Sequence, residues 1–243
     1  MKVAAIVPAA GKGSRIKSKI EKPYIELCGK PILVHTLLRL SKNRYITEIV
    51  VAISKNRVND FGRRIINRFG IKKVKIVTGG RRRSDSVFSA LKNVSGDMDY
   101  ILIHDGIRPF ITDSLICASL KAACKFGASV VAVPVKPTLK YLGKDRRIKY
   151  TPDRKSFWEA QTPQVFRRDL LENSFRKARK EKINVTDDSM LVECSGVRPK
   201  VVLGSYSNIK ITTQEDLELA KILVKKSKVK SKKVKPQDKI KKV

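Results

Sequence analysis

Acidic residues are scarce in this chain of 243 residues: 22 Asp and Glu stand against 54 Lys and Arg, a formal net charge of +32. No run of eighteen apolar residues occurs, which excludes a transmembrane helix. The opening MKVAAIVPAAGKG lacks a full hydrophobic region and a cleavage site, so no secretory signal is expected and a cytoplasmic location is. The cysteines (Cys28, Cys117, Cys124, Cys194) are scattered and form no C-x-x-C pair, and they read as reduced structural thiols. The two histidines belong to no credible Ser-His-Asp or Cys-His set. Neither C2H2 spacing nor an RNP aromatic pattern is present, so no folded nucleic-acid module is expected.

What is present suits one domain with a small appendage: 42% of the residues are hydrophobic, enough for a proper core. Residues 225–243, KKSKVKSKKVKPQDKIKKV, carry ten lysines against one aspartate, a net +9 that leaves +23 on residues 1–224. Such a stretch has no aromatic side chain to bury and reads as a disordered tail. Nonspecific contact with nucleic acid is open to it, as is plain solvation.

Within residues 1–224, strand-like and helix-like segments alternate. Residues 3–9, 48–54, 74–80, 100–106 and 128–135 read as strands. Residues 31–42, 58–70, 84–94 and 114–127 read as helices, with Ser84 as a candidate N-cap and Gly70 and Gly127 as stops. Continuous apolar strands alternating with helices argue for a mostly parallel sheet covered on both faces. In such sheets ligands sit beyond the carboxyl ends of the strands. Three polar stretches, PAAGKGSR, TGGRRRSDS and HDGIRP, follow strands and are expected on one rim. Residues 138–155 break the rhythm around Gly143-Lys144-Asp145 and read as a protruding β-hairpin of the kind that serves as a dimer arm.

PAAGKGSR (residues 8–15) is neither a Walker loop nor G-x-G-x-x-G, since Lys12 lies between the glycines and residue 16 is Ile. Its small residues let backbone N–H groups approach an anion, and Lys12 and Arg15 add charge. Lys22 precedes Pro23, which favours an extended conformation for it. Asp105, at the end of a buried strand and three residues before Arg108, can hold a divalent cation or equally cap a helix.

PAAGKGSR…EKPY, GGRRRSDSV, HDGIRPF, AQTPQVF and SNIKITTQEDL, in that order, resemble the 2-C-methyl-D-erythritol 4-phosphate cytidylyltransferase family of the non-mevalonate isoprenoid pathway. The resemblance spans residues 3 to about 222. It implies a Rossmann-like nucleotidyltransferase fold, CTP and 2-C-methyl-D-erythritol 4-phosphate as substrates, Mg2+ and a homodimer. It implies that Pro8, Ala9, Ala10, Gly11 and Gly13 wrap CTP and that Arg15, Lys22 and Lys210 are the catalytic cations. Gly80, Arg83 and Ser86 would face cytosine and ribose, and Asp105 the nucleotide and the metal. Arg108, Thr138, Arg154, Thr162 and Thr186 would surround the sugar phosphate, Arg154 reaching it from the other subunit. Ribitol 5-phosphate cytidylyltransferases share several of these signatures but tend to open on LAGG rather than PAAG. Two departures from the family pattern are Ile107, which narrows the HDGIRP loop, and Pro137, where an acidic residue is common. A nucleic-acid-binding protein built on the same scaffold is a third reading, against which the set of Arg15, Lys22, Asp105 and Lys210 argues.

Overall fold

A computed structural model describes residues 1–11, 20–60 and 64–233, and for Asp60 and residues 227–233 it describes the backbone alone. Eleven strands are described: β1 (Val3–Pro8), β2 (Glu26–Leu27), β3 (Lys30–Pro31), β4 (Ile46–Ile53), β5 (Val74–Thr78), β6 (Tyr100–Ile103), β7 (Ala128–Pro134), β8 (Tyr141–Leu142), β9 (Ile148–Tyr150), β10 (Trp158–Arg167) and β11 (Lys200–Leu203). The helices are α1 (Ile32–Lys42), short α2 (Val58–Asp60) and α3 (Ile66–Arg68), α4 (Arg83–Leu91), α5 (Asp113–Phe126), α6 (Arg168–Lys180), α7 (Asp188–Glu193) and α8 (Gln214–Lys233).

Seven strands form one sheet in the order β11-β7-β10-β6-β1-β4-β5. All neighbours run parallel except β10, which lies antiparallel between β6 and β7. The central strands β1, β4 and β6 are largely apolar because both of their faces are covered. Val3, Ala5 and Val7 of β1 pack towards α1 and α5, while Ala4 and Ile6 pack towards α4 and α6. The alternation of side chains across the pleat thus sends one apolar strand into two cores.

Strand order reverses at β1: the chain runs outward through β4 and β5, then returns to place β6 on the other side of β1. The loops after β1 and β6 therefore diverge, and they leave a crevice at the carboxyl ends of the strands. The antiparallel insertion of β10 matters to this crevice. Gln164 is in register with Ile103 at the end of β6, so residues 161–163 overhang the rim beside Asp105.

Three expectations need correction. Ser84 is not an N-cap: α4 already includes Arg83, and Asp85 accepts the Arg82 backbone N–H at 3.1 Å, which caps the helix two residues earlier. The helix expected over 58–70 is helical where it is described, in α2 and α3 on either side of residues 61–63, which lie outside the described residues, and Gly70 ends it in the left-handed region (φ +58°). Lys22 opens a 3-10 turn, and the extended residue is Glu21 (φ −59°, ψ 137°), since a proline fits within the first turn of a helix. α8 continues to Lys233, beyond the expected start of the tail at 225. Lysine is a good helix former, and extending a helix already docked by Leu217, Ala220 and Val224 needs no new nucleus.

The hairpin does protrude. β8 and β9 pair antiparallel, and Tyr141 and Tyr150 stack with ring centroids 4.9 Å apart. All four cysteines are free thiols. Among the described residues, no helix is long and apolar enough to cross a membrane.

Candidate active site

The crevice holds a cavity of about 230 Å³ lined by Pro8, Ala9, Ala10 and Gly11 from the loop after β1, by Lys22 and Pro23, by Gly80–Arg83 and Ser86, by Asp105 and Ile107, and by Lys210 and Thr212. The three stretches expected on one rim do converge there. Lys12, Gly13 and Arg15 lie outside the described residues. Among the described residues, five cations (Lys22, Arg81, Arg82, Arg83 and Lys210) line the cavity against one carboxylate, Asp105. Lys22, Arg83 and Lys210 are buried or partly buried there, which strengthens their pull on an anion, while Arg81 and Arg82 are exposed.

Close approach explains why the loop after β5 is glycine. A Cβ on Gly80 would lie 2.3 Å from the Asp85 Cβ and 3.1 Å from the Asp85 carbonyl carbon. Ser86 holds this turn: its hydroxyl accepts the Gly80 N–H at 3.1 Å and donates to the Arg82 carbonyl at 3.2 Å.

Asp105 is the hub of the site. Its Oδ1 accepts from Arg83 Nε at 2.9 Å, and its Oδ2 meets Lys210 Nζ at 2.9 Å and Arg108 Nε at 3.5 Å. Burial alone would push this carboxyl up, but Arg83, Lys210 and Arg108 override it and hold the group well below the usual carboxylate range. Arg83 in turn donates from Nη1 to Asp188 Oδ2 at 2.6 Å. It so bridges the site carboxylate to a buried one on α7.

Lys22 is buried and donates to the Thr212 carbonyl. That carbonyl is held by a capping box at the start of α8. Asp216 accepts the Thr212 and Thr213 N–H groups at 2.8 and 2.9 Å, and Thr213 Oγ1 accepts the Asp216 N–H at 3.3 Å.

The remaining expected residues divide in two. Arg108 and Thr162 turn inward instead of lining the cavity. Arg108 spans Asp105 and the Asn208 carbonyl (2.8 Å), and the Thr162 hydroxyl accepts the Asp105 N–H at 3.1 Å. Thr138, Arg154 and Thr186 are exposed, and none lines the cavity within this chain. Arg154 lies at the foot of the hairpin and donates to the Lys136 carbonyl at 2.6 Å. Thr186 borders a smaller hollow of about 70 Å³ that shares Arg82 and Arg83 with the main cavity.

Residues 3–226 match the family profile described as IspD, 2-C-methyl-D-erythritol 4-phosphate cytidylyltransferase. The chain belongs to this family. It is 44% identical over 217 residues to the 2-C-methyl-D-erythritol 4-phosphate cytidylyltransferase of Alkaliphilus metalliredigens, covering 89% of this chain and 90% of that one. It is 42% identical over 225 residues to that of Pelotomaculum thermopropionicum, covering 92% and 94%. Among solved structures, the 4-diphosphocytidyl-2C-methyl-D-erythritol synthase of Anaerococcus prevotii superposes with a TM-score of 0.82 at 35% identity, covering 92% of this chain and 96% of that one.

Four contributors were missed by sequence reasoning. Asp188, Asn208, His104 and Thr212 act through contacts made across 46 to 190 residues of chain. His104 and Asn208 lie inside quoted motifs, and Asp188 follows Thr186 in a TDDS run suited to a helix start. Nothing local marks them as partners of the site.

Proposed function

We infer that this cavity is where a cytidylyl group passes from CTP to 2-C-methyl-D-erythritol 4-phosphate, giving 4-diphosphocytidyl-2-C-methyl-D-erythritol and pyrophosphate. The observation that carries the reading is the group of five cations that, among the described residues, lines a cavity with one carboxylate at the switch point of the sheet. An oxygen of the acceptor's phosphate attacks the α-phosphorus of CTP. The new P–O bond forms as the bond to the bridging oxygen breaks, and that electron pair leaves on pyrophosphate. A phosphate monoester arrives already anionic, so no strong general base is required of the protein. The obstacle is mutual repulsion of two anions, and fixed cations lower it most where charge builds up in the transition state.

Each part of the site has a task in this reading. The small residues Pro8–Gly11 let the backbone lie close to the phosphates. Gly80, Arg83 and Ser86 shape the wall for the base and ribose. Lys22 and Lys210 flank the reacting phosphorus, and Arg15, outside the described residues, is the third catalytic cation of this proposal. Asp105 fits a Mg2+ brought in on the triphosphate, because such an ion needs one or two carboxylates beside phosphate oxygens. Asp105 Oδ1 accepts one hydrogen bond among the described residues, from Arg83, and so retains a lone pair. Among the described residues no cluster of three acidic, His or Cys side chains competes for the metal. When bound, the ion would neutralise charge across the phosphates.

The exposed hairpin supports a homodimer. Tyr141, Leu142, Ile148 and Tyr150 are each about half exposed on two strands that are marginal alone. A second subunit would cover them, and Arg154 at the foot of the arm would then serve the partner's sugar phosphate. The deciding experiment follows pyrophosphate release from CTP and Mg2+ with two acceptors in parallel. Turnover with 2-C-methyl-D-erythritol 4-phosphate and not with D-ribitol 5-phosphate is expected. Turnover with ribitol 5-phosphate alone would overturn the acceptor, and release with neither would overturn the reading.

A further inference from the structure

A histidine without an assigned role sits directly beneath the site. His104 is fully buried, one residue before Asp105. Its Nε2 lies 3.0 Å from the Arg108 carbonyl, and its Nδ1 lies 3.0 Å from Thr162 Oγ1. A carbonyl oxygen only accepts, so Nε2 must carry the proton, and in the neutral ring Nδ1 is then the acceptor. The Thr162 hydroxyl then donates to His104, and its oxygen accepts the Asp105 N–H at 3.1 Å. All donors in this relay point one way: Asp105 N–H to Thr162, Thr162 O–H to His104, His104 N–H to Arg108.

The relay closes into a ring. Arg108 Nε returns to Asp105 Oδ2, and Arg108 Nη1 reaches the Asn208 carbonyl. Asn208 Nδ2 donates to the Thr162 carbonyl at 2.8 Å and to Gln161 Oε1 at 3.1 Å. Three segments distant in sequence are thereby locked together: the end of β6 with Asp105, the overhang of β10, and the loop carrying Lys210. All of these groups are nine-tenths or more buried, so each missing partner leaves a polar atom that water cannot reach.

We propose that His104 is a positioning residue of the transfer reaction: through the Thr162 hydroxyl and the Arg108 carbonyl it sets where the Asp105 carboxylate meets Lys210 and Arg83. The inference rests on the cytidylyl-transfer reading above. It predicts a function for an imidazole that never touches substrate, and it gives Thr162 and Arg108 inward-facing roles in holding Asp105.

The test compares the full-length wild type with His104→Phe, His104→Asn, Thr162→Val and Thr162→Ser. Outer-shell partners of this kind typically cost about 10- to 100-fold in activity when removed. His104→Phe and Thr162→Val should each lower kcat by roughly that factor, with KM for CTP moved far less. The double variant should be no worse than the poorer single one, because both break one relay. Thr162→Ser, which keeps the hydroxyl, should recover most of kcat, and His104→Asn, which keeps an acceptor for Thr162, should recover part.

Imidazole nitrogen shifts give a second readout independent of turnover. The chain has two histidines, so a His35 variant assigns the spectrum. His104 should be the neutral Nε2–H tautomer in wild type. A protonated ring or the Nδ1–H tautomer would overturn the relay, as would multiplicative losses in the double variant or full kcat in folded His104→Phe. Absence of turnover in the wild type would instead overturn the underlying assignment, while leaving the tautomer measurement to judge the relay.

Discussion

Acid should unfold this protein through His104 before it does so through the carboxylates. Burial pushes the His104 imidazole down from an ordinary 6.5 to about 4, the backbone bond to Arg108 and the charge of Asp105 pulling up against it, and Arg108 and Arg83 adding to the depression. The unfolded chain therefore takes up a proton near pH 6.5 that the folded chain refuses until about pH 4. Stability from the neutral ring is fully present above 6.5, is lost progressively as pH falls, and is gone below about 4. The gap between 6.5 and about 4 corresponds to about 3 kcal/mol. For a domain of this size that is about 6–12 °C in melting temperature. The assay is thermal melting between pH 7.5 and 4.5 for wild type and His104→Asn in matched salt. The variant starts lower, because partners of the relay go unsatisfied, so the slope is what is read. His35 and the high positive charge contribute equally to both proteins and cancel in the difference. Wild type should lose several degrees more than the variant over this window. Parallel curves would show that the ring is not held neutral by its surroundings.

Other consequences follow from the same contacts. Lys22→Ala should cut kcat about 10²- to 10³-fold, by comparison with the loss of one preorganised donor, with an unchanged circular dichroism spectrum; near-normal steady-state kcat would count against the site. Arg83→Met strips Asp105 and buried Asp188 of their shared cation, at about 3–5 kcal/mol, and a melting curve within 2 °C or so of wild type would contradict that. Gly80→Ala forces its Cβ into Asp85 and should raise KM for CTP on the order of 10- to 100-fold by shifting the loop, measurable by initial rates at saturating acceptor. If Arg154 serves the partner's site, mixing inactive Lys22→Ala and Arg154→Ala subunits should restore activity, since a mixed dimer contains one intact site; no recovery after subunit exchange would place Arg154 in its own chain's site or outside the reaction. Deleting residues 227–243 should leave kcat unchanged while weakening retention on a polyanion column in a salt-dependent way, and unchanged retention would assign the charge to solvation alone.

The sheet was legible because its strands are buried on both sides and its loops carry glycine, proline and charge at the carboxyl ends. Val3–Pro8, Ile46–Ile53 and Tyr100–Ile103 announce themselves by unbroken apolar runs. β10 was not read as a strand at all. Its centre, Gln161-Thr162-Pro163-Gln164, is polar and interrupted by proline, and it is held by pairing with β6 and β7 and by side chains of Asn208 and Asp187. No local pattern encodes partners that lie 23 to 47 residues away. α8 misled in the opposite direction: the lysine run suggests a tail by composition, yet lysine extends a docked helix at little cost.

The site shows a sharper limit. A motif is read as a block, but its side chains alternate between the cavity and the protein. In HDGIRP, Asp105 and Ile107 face the cavity, while His104 and Arg108 face inward. Spacing cannot separate these roles, because a buried Arg beside a carboxylate and a phosphate-binding Arg look alike in one dimension. Charge accounting separates them once the fold is known. Asp105 needs compensation to stay ionised in a buried position, and Arg108 supplies it from an almost fully buried position on the inner side. Arg83 and Lys210 are then the two partners of Asp105 that lie on the cavity side. Both can turn from the carboxylate to a phosphate when the nucleotide arrives, with Arg108 left behind to hold Asp105. A basic crevice that must stay open without its ligand needs such a division, with one cation kept permanently by the carboxylate and two lent to it.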